Sequence, residues 1–133
     1  MDLIELATLF RTINLYSHHA HNVAEGDTFL QDHAFLAEIY EFADDAYDDL
    51  VERHIGTSDV VLDLCDIVKQ AYILLEKLDD QYLDKILILL EESVKAIDEM
   101  SKSGTLSSGT QNLIQGQADS IEVLIYKLKR RLK

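Results

Sequence analysis

Proline is absent from the 133 residues and glycine occurs only five times, so almost no position forbids a continuous helix. Apolar side chains recur three, four and seven apart over most of the length, which is the spacing of one helix face. Leu3, Leu6, Phe10, Ile13 and Ala20 mark a first helix, closed by Glu25-Gly26-Asp27. Asp27 or Thr28 caps a second, whose apolar face runs through Phe29, Leu36, Tyr40, Tyr47, Val51 and Ile55 until Gly56-Thr57-Ser58 stops it. From Asp59 to Leu78 the pattern is helical but apolar nearly all round, which reads as a short buried crossover piece. Tyr82, Ile86, Leu89, Leu90, Ile97 and Met100 mark a third long helix, ended by the loop SKSGTLSSGT. Leu113, Ile114, Ile121, Leu124, Leu128 and Leu132 mark a fourth. The expectation is an all-α chain: a four-helix bundle with a short crossover helix between its second and third long helices, forming one domain over residues 1–133.

Composition narrows the partners. The formal net charge of −13 excludes a surface that is basic as a whole, as a phosphate backbone would require, and makes cations the natural small partners. Basic residues cluster only near the C-terminus, at Lys127, Lys129, Arg130, Arg131 and Lys133. Cations there complement the dipole of the last helix, and weak DNA binding is the second reading. The single cysteine, Cys65, has no partner for an intrachain disulfide, and its place in VVLDLCDIV predicts a buried, inert thiol suited to a reducing compartment. Asp2, Glu5 and Arg11 interrupt what would have to be the apolar part of a signal segment, and the run Ile86 to Leu90 is too short to cross a bilayer. A soluble, cytoplasmic chain is expected, with no membrane partner.

All five histidines fall between Tyr16 and His54, among many of the carboxylates. His18 and His21 share a face of the first helix, and His21 points with the core side marked by Phe10. On the second helix His33, Ala37, Tyr40 and Asp44 share a face, and Asp48 and Glu52 are one turn apart. His33 and Glu52 are separated by about 28 Å along the axis, so one chain cannot bring them to one ion. Two copies of this helix crossing antiparallel about a twofold can. The register that sets position 33 opposite 52 also sets 37 opposite 48, and a twofold makes two such sites, with histidines from one subunit and carboxylates from the other. Imidazole mixed with carboxylate suits iron or zinc better than calcium.

The stretch HAHNVAEGDTFLQDHAFLAEIYEFADDAYDDLVERHIG resembles the signature of the Dps family, the mini-ferritins that protect DNA during starvation. In that signature a first-helix His stands five residues before a Gly, a second His follows twelve after the first, and an Asp and a Glu follow further along the second helix. Those positions here are His21, Gly26, His33, Asp48 and Glu52. LIQGQADSIEVLIYKLKRRL is similar to the family's last helix. The resemblance implies a ferritin-like bundle, and a homo-oligomer, a hollow dodecamer assembled from twofold dimers. It also implies oxidation of Fe(II) by peroxide or oxygen at a ferroxidase site shared across the twofold, with ferric iron stored inside. His21 and His33 would be ligands from one chain, and Asp48 and Glu52 from its partner.

Three departures bear on that expectation. Ala37 stands where the family has a carboxylate ligand, so iron binding should be weaker or limited to one ion per site. Asn22 and Tyr126 stand where tryptophans are usual, and the chain opens directly into helix without a lysine-rich arm. The alternative to an active ferroxidase is a Dps-like shell with an impaired site that holds zinc or serves only as a subunit interface. A third reading, an acidic interaction module, leaves the five matching intervals to accident.

Overall fold

The structure, a computed structural model, describes all 133 residues and contains five helices and no strand. They are α1 (Leu3–Val23), α2 (Phe29–Ser58), α3 (Leu64–Glu76), α4 (Tyr82–Lys102) and α5 (Ser108–Arg131). Three of them start on a side-chain cap that satisfies an otherwise orphaned N–H: Asp2 accepts from the Glu5 amide, Asp63 from Cys65 and Ser107 from Thr110. α2 begins differently. Thr28 occupies the cap position but donates its hydroxyl to Asp32 Oδ2, and the same hydroxyl accepts from Arg131.

α1 joins α2, and α4 joins α5, through turns of five residues, so each pair is an antiparallel hairpin. In the first turn Gly26 sits at φ +88°, a left-handed conformation that a side chain would strain, and this reversal brings the end of α1 alongside the start of α2. The hairpins close on one another through a ladder between α2 and α5. Arg53 meets Thr110, the Ala46 carbonyl accepts from Gln117, Glu38 pairs with Lys127, and Asp32 with Arg131. α1 packs on α2, α3 and α4. The Tyr16 hydroxyl donates to the Asp79 carbonyl at 2.6 Å and so ties α1 to the turn before α4.

The core lies between the four long helices. Leu6, Phe10, Ile13, Ile39, Leu50, Ile86, Leu90, Ile114, Ile121 and Leu128 are fully enclosed, each contributing roughly 1.5–3 kcal/mol by burial. The faces expected for α1, α4 and α5 coincide with this core. That of α2 is turned: Leu36, Ile39, Ala43, Ala46 and Leu50 point inward, whereas Phe29, Tyr40, Tyr47, Val51 and Ile55 lie at the margins. Large side chains at the margin masked the two alanines that let α2 approach its neighbours. α2 also runs past Gly56 to Ser58, because the hydroxyls of Thr57 and Ser58 bond back to the Arg53 and His54 carbonyls, and Asp59 ends it at φ +58°.

α3 departs most from expectation. Only Ile67 and Ala71 are buried, against α1, and Leu64, Val68 and Tyr72 form an outward ridge that is 66%, 56% and 59% exposed. Cys65 beside them is exposed, not buried. No helix is long and apolar enough to cross a membrane.

Candidate metal centre

His21 lies in the last turn of α1 and His33 in the second turn of α2, on either side of the Gly26 turn. The hairpin stacks their rings with centroids 3.6 Å apart and planes inclined by 19°. Each ring is clamped by the other's backbone. His21 Nδ1 lies 2.6 Å from the His33 carbonyl oxygen, and His33 Nδ1 lies 3.0 Å from the His21 carbonyl oxygen. A carbonyl only accepts, so each Nδ1 must carry the proton and donate it. The consequence is chemical: in the neutral ring each Nε2 then carries the lone pair, the tautomer a metal ligand needs. A backbone carbonyl here takes the part that a supporting group plays for ligating histidines generally.

The stack also constrains what the pair can do. A ligand lone pair lies in the ring plane, and two planes 3.6 Å apart and tilted by 19° converge far beyond a metal–nitrogen bond of about 2.0–2.1 Å. One ion cannot lie in both planes. The rings therefore serve two neighbouring positions, or open to share one.

Aromatic groups fix the pair from outside. Phe29 stands 5.0 Å from His33, and Tyr40 is edge-on to His21 at 5.2 Å while stacking on His18 at 4.1 Å. Asn14 donates its amide to the Tyr40 carbonyl and holds α2 at this level of α1. Tyr40 and the two clamping carbonyls were not assigned to the site from sequence. Tyr40, two turns after His33, was visible there as part of the helix face, whereas backbone acceptors leave no trace in residue identity.

Asp48 and Glu52 sit elsewhere, on the exposed part of α2 about 22 and 28 Å from His33 along the axis. The chain brings the two histidines together and leaves the two carboxylates apart from them, and no three His, Cys, Asp or Glu side chains form a metal-binding group within it. Ala37 supplies no donor one turn from His33. Glu38, one residue further round the helix, faces α5 instead, with Lys127 at 2.9 Å.

The basic C-terminal residues are largely engaged. Lys127 pairs with Glu38, Lys129 with Glu91 at 4.0 Å, and Arg131 binds Asp32 through Nε and Nη2 at 2.8 and 2.9 Å. Arg130 and Lys133 make no ion pair within the chain. No protein-family model matches this sequence, and no curated protein matches it either.

Proposed function

We propose that this chain is the subunit of a mini-ferritin of the Dps kind. In this reading it binds Fe(II) as substrate at a site formed by His21 and His33 of one subunit and Asp48 and Glu52 of the partner subunit, the two imidazoles serving neighbouring iron positions or opening to share one. The iron is oxidised by peroxide or oxygen and the ferric product is kept inside a closed shell, a dodecamer of twofold dimers. The observation that carries this reading is the reciprocal clamp on the stacked imidazoles, which engages both Nδ1 atoms and leaves Nε2 as each neutral ring's ligating atom.

The helix order supports it. α5 runs against α2, and α4 against α5, so α2 and α4 run the same way. Residues 59–81, with α3 among them, then have to return the chain along the bundle, as the single crossover of ferritin-like bundles does. Cargo with positive charge suits a chain of net charge −13.

The chemistry asked of the residues is modest. Neutral imidazoles and ionised carboxylates hold Fe(II) and favour the more highly charged Fe(III). Two Fe(II) ions give one electron each to a peroxide, whose O–O bond breaks and which leaves as two waters after taking two protons. Ala37 removes one oxygen donor, so slower oxidation, or occupancy by zinc at an impaired site in a structural shell, is the second reading, favoured by Glu38 being committed to Lys127. DNA association through the tail is weak in either case, since three of its five cations face carboxylates of the same chain.

The test is the variant carrying both His33→Ala and Glu52→Ala. It should lose Fe(II) oxidation above the buffer rate while keeping helix content and assembly size. Oxidation at the wild-type rate in that variant would refute the site.

A further inference from the structure

We infer that Met1, His54 and Met100 form a binding site for a soft monovalent metal ion, Cu(I), at the end of the bundle where α2 and α4 finish. All three line one cavity of about 370 Å³. They reach it from separate parts of the chain: Met1 precedes α1, His54 stands one turn before the end of α2, and Met100 lies in the last turn of α4. The chain has only two methionines, and both are here.

His54 is the histidine whose ring the rest of the fold leaves unused. The rings of His18, His19, His21 and His33 each lie against an aromatic ring or another imidazole. That of His54 has no such neighbour and makes no hydrogen bond within the chain; only its carbonyl is engaged, by Thr57 and Ser58. Met100, 6% exposed, would by itself pass for a core side chain. Core packing does not account for the second thioether, on a Met1 that is 57% exposed, lining the same cavity as an unpaired imidazole. Thioether sulfur is a neutral, polarisable donor that favours Cu(I), and imidazole suits copper as well. The surroundings suit a cation: no Lys or Arg side chain lines the cavity, Glu99 makes no ion pair, and the other carboxylate, Asp2, caps α1. This site is separate from the proposed iron centre, since His54 lies about 32 Å along α2 from His33 and about 200° round the helix from Glu52.

Competition for Cu(I) between the full-length protein and a coloured chelator, bicinchoninate, under anaerobic reducing conditions tests this. Cys65 is an exposed thiol and a competing soft donor, so every variant carries Cys65→Ser. The Cys65→Ser protein should hold a single Cu(I) per chain, with sulfur neighbours in X-ray absorption at the copper edge. Met100→Leu conserves volume in the core, and His54→Ala alters a partly exposed ring, so both should keep the helix content of the parent. Each should weaken Cu(I) binding by at least the roughly 10- to 100-fold that loss of a supporting partner costs a metal site. In Met100→Leu the sulfur neighbours of copper should fall from two to one. His33→Ala should leave Cu(I) binding unchanged, whatever it does to iron. Cu(I) binding that vanishes with Cys65→Ser, a copper environment without sulfur, or Met100→Leu or His54→Ala binding as tightly as the parent would each overturn the inference. Loss of Cu(I) in His33→Ala would overturn it as well, by placing the ion at the stacked pair.

Discussion

Asp32 shows how a single side chain closes this bundle. It receives Arg131 from the far end of α5 in a two-pronged contact and the Thr28 hydroxyl from its own helix start. Those hydrogen bonds, Arg131's first, hold its carboxyl below the ordinary value of 3.8 against the opposing effect of partial burial. A depressed folded-state pKa stabilises the fold above the unfolded value and ceases to do so as pH falls through the folded one. Asp32→Asn should therefore cost about 1 kcal/mol at neutral pH, a figure kept low because Arg131 is 37% exposed. The difference between variant and wild type should shrink as unfolding is followed from pH 5 down to about pH 2. A gap that widens in acid would contradict the assignment. Cys65 offers a simpler check at the same scale: its thiol is exposed, so a disulfide reagent should label it in the native subunit without denaturant. The sequence context pointed the other way. Flanking Leu and Val residues say that a helix is apolar, and nothing in them says which side the rest of the chain covers.

The elements were legible where one stripe is apolar and the rest polar. α1, α4 and α5 meet that condition, and Leu6, Phe10, Ile86, Ile97, Ile121 and Leu128 all lie in the core as their spacing requires. α2 does not, because its aromatic side chains sit beside the core and the face itself is completed by Ala43 and Ala46. Truncating Ile39, which no apolar pattern singled out, should destabilise the protein by about 2–5 kcal/mol in chemical unfolding, the range for an enclosed aliphatic side chain. Val68→Ser on the outer ridge of α3 should cost less than about 0.5 kcal/mol in the dissociated subunit. A loss as large as that at Ile39 would mean that the ridge is covered. The candidate site divides in the same way. The pairing of the two histidines came from the family resemblance; the short turn between the helices is what sets residues twelve apart side by side, and the carbonyl clamp on their Nδ1 atoms belongs to the backbone.

At the scale of the molecule the fold separates the donors that the proposed chemistry needs. One chain carries a clamped imidazole pair at one end of α2 and exposed carboxylates towards the other. If two copies share them, His33→Ala and Glu52→Ala are each inactive alone but complement each other when mixed and reassembled. In the mixed pair one site loses both ligands and the other keeps both, so about half of the wild-type oxidation per heterodimer should return. No recovery would contradict a site shared between two subunits.

The most direct measurement is peroxide-driven oxidation of Fe(II) by the purified protein, followed through the absorbance of ferric iron and through the elution position of that iron. The account predicts oxidation well above the buffer rate, with iron and protein eluting together at the size of a closed shell. A particle of that size that oxidises Fe(II) no faster than buffer, or iron that elutes apart from the protein, would contradict it.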